Sequence, residues 1–493
     1  MSFLELEYIL RFSAVKNQFN IVNLFLSFSF LSLSLQCSPT KLNSTCDPES
    51  ESFVMTALLE FGSSDGSSLC PLFSGLNPLR LRYGSEFLVI RQNESIGQMV
   101  PFVSEPIDHC ESLPSLPVGV ILNESNCTIS GTPIFGMNST KYLITARNQN
   151  KQTTIPLVIK SLYAPKFAYV ANTTSGLVNT YSINANSGVL TSTGFLAAGG
   201  GPEAMAISPD QKFLTVPNRS SNNISQFSIN PTNGNLTLVE TIASGGISPL
   251  AITYHPTKNI LYIRNTVNVT TFLVNTVTGN LTLINTMPAS SGASSITIDP
   301  FGNFLYVPNY SGRMIDSYRV DQSTGIPDPN VVQSITSGTN PRNLEILSNG
   351  KTLYVVNDVD NNISTYQLDS NTGFMNLISP ATSPAGLSSR ALASDPTGRF
   401  LYMTNQGSDF VSIFAVDPVS GSLIPAATSL MGTGDGPSAI TTDSSGKFLY
   451  VTNFFSNTVD MFRINEVDGS LISNGNVGTS SLPGAIVTAG TNP

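Results

Sequence analysis

Three charged residues, Glu203, Arg342 and Arg390, have the types and positions best suited to acting on a small molecule. Each is the second residue of a short predicted strand that opens with Pro or Ser. Two neighbouring guanidinium groups could hold a carboxylate or phosphate through paired hydrogen bonds, and a carboxylate could accept a proton from water. Arg264 is a fourth candidate for the same ligand-binding site. The alternative is that all four are solvated charges on a rim.

Other reactive residue types form no catalytic or metal-binding pattern in the sequence. The chain has two histidines. His255 stands in a predicted turn where other repeats have Asp, and His109 precedes Cys110 at an expected surface position. Asp358 and Asp360 could ligate Ca²⁺, but their segment lacks the Gly and Glu of an EF-hand loop, so an acidic loop is the preferred interpretation. The sequence therefore predicts no metal site and no cofactor.

The elements that must position the candidate residues recur along the chain. An apolar strand ends in Asn at seven positions, separated by 44 to 48 residues: Asn172, Asn218, Asn265, Asn309, Asn357, Asn405 and Asn453. A period in the mid-forties, with four short strands in each unit, is typical of a β-propeller. We therefore predict an all-β chain with a seven-bladed propeller over residues 161–493. The repeated Asn is interpreted as a cap that bonds turn backbone.

Strand order within a repeat predicts where its variable residues lie. The first strand ends at an Asp-Pro-like turn and the second returns, so the start of the first and the Asn of the second share one face near the central channel. The second residue of the first strand varies among the blades: Gly484, Glu203, Leu250, Ser294, Arg342, Arg390 and Ser438. We therefore expect the charged candidates to form a polar funnel at the channel mouth. A Gly between the third and fourth strands tolerates a positive φ.

The two ends of the repeat region predict how the ring closes. Blade one begins at its second strand, Phe167-Ala168-Tyr169-Val170, and so lacks an inner strand. The C-terminal segment Pro483-Gly484-Ala485-Ile486-Val487-Thr488 has the pattern of the inner strand in other blades. We expect it to join blade one, which would leave no free sheet edge.

The N-terminal residues predict an exported, anchored protein. Arg11 and Lys16 precede an apolar run from Ile21 to Leu35, and Cys37 follows it. Residues 1–37 are predicted to be a signal peptide that ends in a lipobox with Cys37 lipidated. A plain signal peptide with an incidental Cys and a retained anchor helix are the alternatives. Residues 38–77 are Ser-rich and are predicted to be a tether.

Cysteine placement also favours export. All five cysteines lie before residue 128. With Cys37 acylated, Cys46, Cys70, Cys110 and Cys127 allow three pairings. Proximity in sequence favours Cys46 with Cys70 and Cys110 with Cys127, and structural disulfides indicate an oxidising compartment.

Composition excludes several kinds of partner. Charged residues make up 11% of the chain, and the net charge is −9. An acidic chain without basic clusters is poorly suited to nucleic acid and to charge-driven anchoring on anionic lipid. The expected partners are a small anionic ligand, a glycan or a protein at the propeller face, with membrane attachment through the N-terminal lipid.

Two parts of the chain resemble known families. Residues 78–160 contain Leu116-Pro117-Val118-Gly119 and Ile129-Ser130-Gly131-Thr132-Pro133, and they resemble a bacterial immunoglobulin-like family with a cadherin-like sandwich, which implies a spacer or adhesion domain. The repeats resemble the bacterial surface family named for Tyr-Val-Thr-Asn, which occurs at residues 450–453, and the lactonase family of seven-bladed propellers, which includes 6-phosphogluconolactonases. Pro341-Arg342-Asn343 is similar to the lactonase inner-strand motif. Asn343 replaces its His, and no second strand ends in its Glu.

These observations lead to two main hypotheses. The first is an exported, lipid-anchored bacterial envelope protein whose propeller binds a ligand or partner at the channel mouth without catalysis. The second, implied by the lactonase resemblance, is a hydrolase of sugar lactones. In that enzyme Glu203 would be the base, and Arg342 or Arg390 would stabilise the oxyanion. A third interpretation is a purely structural envelope component.

Overall fold

A computed structural model of the chain describes residues 79–290 and 295–490. The predicted signal peptide, Cys37, the tether, the Cys46–Cys70 pair and Ser294 lie outside these residues. Within them, no helix is long and apolar enough to cross a membrane.

Eight strands precede the repeats and form what we call the N-terminal module, residues 80–164. They are β1 (Leu81–Arg82), β2 (Phe87–Arg91), β3 (Phe102–Val103), β4 (His109–Leu113), β5 (Val120–Leu122), β6 (Ile129–Gly131), β7 (Met137–Arg147) and β8 (Gln152–Leu162). Four of them form a sheet in the order β2-β8-β7-β4, in which β2 and β8 run parallel. The other pairs are β1 with β3 and β5 with β6. A disulfide joins Cys110 to Cys127, which confirms that predicted pairing.

Seven four-stranded antiparallel sheets follow, one for each predicted blade. Blade 1 contains β9 (Pro165–Asn172), β10 (Leu177–Ile183), β11 (Leu190–Ala197) and the last strand, β36 (Pro483–Gly490); blade 2, β12 (Ala206–Ile207), β13 (Phe213–Asn218), β14 (Asn223–Ile229) and β15 (Leu236–Ala243); blade 3, β16 (Ala251–Tyr254), β17 (Ile260–Arg264), β18 (Asn268–Val274) and β19 (Leu281–Pro288); blade 4, β20 (Thr297–Ile298), β21 (Phe304–Asn309), β22 (Met314–Val320) and β23 (Pro327–Thr336). Blade 5 contains β24 (Pro341–Ile346), β25 (Thr352–Asn357), β26 (Asn362–Leu368) and β27 (Met375–Pro384); blade 6, β28 (Ser389–Ser394), β29 (Phe400–Asn405), β30 (Phe410–Val416) and β31 (Leu423–Gly432); blade 7, β32 (Pro437–Thr442), β33 (Phe448–Asn453), β34 (Thr458–Ile464) and β35 (Leu471–Gly478).

The ring closes as the sequence predicts. Strand β36 pairs with β9 in antiparallel fashion, with Ile486 opposite Val170, and supplies the inner strand that blade 1 lacks. Ile486 and Val170 also pack in one buried cluster with Tyr450 of blade 7. The seam is therefore held by a shared sheet and by a shared core.

The second strand of each blade lies in the core between neighbouring sheets. Every residue of β25 and of β33 is buried. A strand covered on both faces needs apolar residues on both faces, which explains runs such as Leu353-Tyr354-Val355-Val356. The outer strands, such as β11, are exposed at alternate or successive positions. The repeated apolar runs therefore mark burial between blades.

The repeated Asn residues bond to the loops around them. Asn357 accepts a hydrogen bond from the Gly338 backbone N–H at 3.1 Å and donates to Ser364 Oγ at 2.8 Å. Six of the seven are fully buried: Asn172, Asn218, Asn265, Asn357, Asn405 and Asn453. These contacts agree with the predicted structural role.

His255 takes the place of an Asp in the turn between the first two strands of blade 3. Its Nδ1 accepts hydrogen bonds from the backbone N–H groups of Thr257 and Lys258, at 3.2 and 3.1 Å. Asp443 bonds the corresponding turn of blade 7 further along the chain, where its Oδ1 accepts from the backbone N–H groups of Lys447 and Phe448. His255 is fully buried, and burial lowers its pKa to about 4. His255 therefore stabilises the turn between the first two strands of blade 3.

Candidate functional site

The beginnings of the inner strands from all seven blades surround a cavity of about 620 Å³ on the propeller axis. Glu203, Arg342 and Arg390 all line it, so the structure brings together three of the four predicted residues. Arg342 and Arg390 are the second residues of β24 and β28. Glu203 follows Pro202, which forms a bridge to Asn218.

Each of these three side chains contacts a polar side chain that lies 16 residues later in the same blade. Arg219 Nη1 donates to both carboxylate oxygens of Glu203, at 3.0 and 3.1 Å. Arg342 Nη1 lies 3.4 Å from Asp358 Oδ2. Arg390 Nε donates to Gln406 Oε1. The cavity mouth is therefore lined by pairs of residues.

The pairing follows from strand register. In blade 5 Pro341 lies opposite Asn357, and in blade 6 Ser389 lies opposite Asn405. The register of each pair shifts directly after this point, which leaves Arg342 and Arg390 without a directly opposite residue. Their side chains instead contact the residue that follows the repeated Asn. The variable residues of the funnel thus form two rings, of which the sequence analysis identified one.

The second ring occupies the position that follows each repeated Asn: Thr173, Arg219, Thr266, Tyr310, Asp358, Gln406 and Phe454. Four of these residues line the cavity: Thr173, Arg219, Gln406 and Phe454. The sequence pattern suggested Asp358 only as a calcium ligand or as part of an acidic loop, and it did not indicate Arg219 or Gln406 as candidates. The signal was present, because this position varies beside an invariant Asn.

Arg390 has both of its terminal nitrogens available to a ligand. Among the described residues, neither of its terminal nitrogens has a hydrogen-bond partner. Burial lowers the pKa of Arg390, and the neighbouring charge of Arg342 lowers it further. Two cations thus face one polar cavity, and an anion placed between them would relieve their repulsion.

Glu203 is engaged by its partner. Both of its oxygens accept hydrogen bonds from Arg219 Nη1, so the carboxylate is held beside this guanidinium. Each oxygen keeps a second lone pair, so a base at this position would have to take a proton from water while it is bound to Arg219.

Arg264 does not join the funnel, so its predicted placement is wrong. The side chain is fully buried, and its guanidinium donates to the backbone oxygens of Asn265, Asn268 and Ser290. The position before the repeated Asn points into the protein, as Val356 and Thr452 do in other blades. Burial lowers the pKa of Arg264 to about 10. The residue supports the loops of blade 3.

Two further observations describe the residues of this part of the chain. In residues 79–290 and 295–490, no group of three or more His, Cys, Asp or Glu side chains could hold a metal ion. Asn343, which stands where the lactonase motif has His, accepts a hydrogen bond from the Leu392 backbone N–H at 3.0 Å. It therefore links the inner strands of blades 5 and 6.

Comparison with known proteins identifies the fold. Residues 166–293 and 282–386 match the family model described as Lactonase, 7-bladed beta-propeller. A Bacteroides uniformis protein, provisionally described as a 6-phosphogluconolactonase, is 19% identical, and the match covers 66% of this chain and 100% of that one, with a TM-score of 0.59. The periplasmic gluconolactonase of Pseudomonas aeruginosa is 20% identical over 66% of this chain and 99% of its own, with a TM-score of 0.58. No curated protein matches the chain. At these identities the likeness concerns the fold.

Proposed function

We propose that the propeller of this chain, a lactonase-family seven-bladed β-propeller, binds a small anionic ligand at its channel mouth without hydrolysing it. Arg390 and Arg342 are the residues that hold the anion. The observation that carries the proposal is the half-buried Arg390, whose terminal nitrogens have no partner in the described part of the chain. Guanidinium groups bind carboxylate and phosphate through two parallel hydrogen bonds.

The second candidate function is hydrolysis of a sugar lactone, which the family match favours. Two features weigh against it. Glu203 has both oxygens bonded to Arg219, and Asn343 is held by the backbone of Leu392. The residue proposed as the base and the residue that stands in place of the motif His are therefore both bonded to other groups of the protein.

The remaining parts of the chain suit an exported, lipid-anchored bacterial envelope protein. The apolar run before Cys37 and the Cys110–Cys127 disulfide support this location. The short strands of the N-terminal module and its Leu116-Pro117-Val118-Gly119 motif support an immunoglobulin-like domain.

Calorimetric titration with gluconate, 6-phosphogluconate and acidic oligosaccharides tests the binding proposal. Loss of a charge-assisted contact costs about 1.5–3 kcal/mol, so Arg390→Ala should weaken binding by roughly ten- to a hundredfold. Arg399→Ala is the matched control, since Arg399 lies at the other end of blade 6 and stacks on Phe400. Undiminished binding to Arg390→Ala would refute the site. Turnover of glucono-lactone that is lost in Glu203→Gln would instead favour the hydrolase.

A further inference from the structure

Three Asn-Gly pairs in the chain could undergo a spontaneous reaction in which the asparagine loses its amide group. In this reaction the backbone nitrogen of the glycine attacks the side-chain carbonyl carbon of the asparagine. Glycine hinders the attack least, because it has no Cβ. The pairs begin at Asn233, Asn349 and Asn474. All three pairs lie in the described residues, and the structure holds them differently.

Two of the pairs are held in turns between strands. Gly234 N–H donates to Asn230 O, and Gly350 N–H donates to Leu347 O, both at 2.8 Å. In each pair Oδ1 of the asparagine also accepts a hydrogen bond from the backbone N–H two residues further on. Both reacting groups are therefore hydrogen-bonded within the turn, and the turn must open before the glycine nitrogen can attack.

The third pair lies in a β-bulge of β35, the outer strand of blade 7. The register with β34 shifts here, so that neither Asn474 nor Gly475 has a residue directly opposite, and the ladder is disrupted at such a bulge. Gly475 N–H donates to Ser473 Oγ over 3.3 Å, and a Cβ on Gly475 would meet no atom within 4 Å. Oδ1 of Asn474 has no hydrogen-bond partner among the described residues. These contacts restrain the third pair less than the other two.

The side chain of Asn474 forms a hydrogen bond across the seam at which the propeller ring closes. Its Nδ2 donates at 2.7 Å to the backbone oxygen of Ser187, in the turn between β10 and β11 of blade 1. This Nδ2 is the atom that the reaction would remove. A carboxylate has no hydrogen to donate, so the product would place an oxygen against the Ser187 oxygen and lose the bond between the two blades.

We propose that Asn474 is a self-modification site, at which the folded protein converts the asparagine to aspartate and isoaspartate and thereby loosens the seam between blades 7 and 1. The Gly475 nitrogen loses its proton as it bonds to Cγ of Asn474, and the bond from Cγ to Nδ2 breaks, so that the amide leaves as ammonia. Water then adds to either carbonyl carbon of the cyclic imide and breaks the bond of that carbon to nitrogen. One opening gives aspartate, and the other gives isoaspartate, in which the main chain runs through the side-chain carbons.

Asn233 is the internal control for this reaction, because its sequence context is nearly the same. Thr232-Asn233-Gly234-Asn235 and Ser473-Asn474-Gly475-Asn476 differ only in their first, hydroxyl-bearing residue. The full chain is incubated in mildly alkaline water enriched in oxygen-18, and peptide mass spectrometry measures the uptake of label at each pair. In the folded protein Asn474 should react at least about fivefold faster than Asn233, and in concentrated urea the two rates should agree within about twofold. Equal rates in the folded protein, or a faster reaction at Asn233, would overturn the proposal.

Asn474→Asp and Asn233→Asp test the effect on the seam, and each variant adds one negative charge. The first replaces the donor to the Ser187 oxygen with a carboxylate. The second keeps an oxygen that can accept from the Asn235 N–H. Urea unfolding should therefore have a lower midpoint for Asn474→Asp than for the wild type, and an unchanged midpoint for Asn233→Asp. A wild-type midpoint in Asn474→Asp would overturn the loosening of the seam.

Discussion

Replacing Gly188 with alanine should weaken the seam at which the propeller ring closes. Gly188 lies in the turn between β10 and β11 of blade 1, with φ +75°. A Cβ at this position would lie 2.3 Å from Cδ1 of Phe448, on β33 of blade 7. The hydroxyl of Tyr450 on the same strand donates to the Gly188 carbonyl at 2.8 Å. One glycine thus meets two side chains of the neighbouring blade.

Two costs add in the Gly188→Ala variant. A residue with a Cβ pays about 1–2 kcal/mol to adopt the left-handed conformation. Overpacking a buried contact costs about 1–3 kcal/mol more, because the ring of Phe448 must move. The free energy of unfolding should therefore fall by about 2–5 kcal/mol. Movement of the turn would also strain the hydrogen bond from Tyr450.

Gly475→Ala separates the two costs. Gly475 has φ +85°, and a Cβ there would meet no atom within 4 Å. Its alanine variant should therefore lose only the conformational part, about 1–2 kcal/mol. Equilibrium unfolding in urea, followed by tyrosine fluorescence and circular dichroism, gives both values. Equal losses in the two variants would refute the role of Phe448 in the seam.

Two other predictions concern charge. Asp358→Asn removes the carboxylate charge 3.4 Å from Arg342, so calorimetric titrations should show anion binding that is several-fold tighter. Weaker binding would contradict the assignment of Arg342 to the anion site. Because burial lowers the pKa of His255 to about 4 from its ordinary 6.5, the unfolded state binds its proton first on acidification. As the pH falls from 6.5 to 4, the free energy of unfolding of the wild type should therefore decrease by up to about 3 kcal/mol. Urea unfolding at pH 7, 5 and 4 should show a smaller decrease for His255→Asp.

The repeat pattern predicted the fold because each blade has the same local structural requirements. A buried second strand, a capping Asn and a Gly with positive φ recur in each blade, so their spacing gives the blade number. The repeat predicts that Gly188 has a positive φ, but it does not predict the contact with Phe448 that joins blade 1 to blade 7. Contacts between blades depend on the curvature of the ring, which no single repeat encodes.

The candidate residues that share one position of the repeat were predicted correctly. Those whose position depends on long-range packing were not. Glu203, Arg342 and Arg390 share one repeat position, so they share one place on the channel. Arg264 was misplaced because the residue before the repeated Asn points into the protein. The contact of Lys160 with Ser348 could not be anticipated, since it depends on how the N-terminal module docks.

The charge of the funnel arises from how its residues are paired. In blade 2 Glu203 is paired with Arg219, and in blade 5 Arg342 is paired with Asp358, so each of these pairs is neutral. In blade 6 the partner of Arg390 is the uncharged Gln406. These three pairs together therefore carry one positive charge, and it resides on the side chain whose terminal nitrogens have no partner among the described residues. A chain with a net charge of −9 thus presents a local cation at its channel mouth, and a count of arginines alone would not have shown which one is available to an anion.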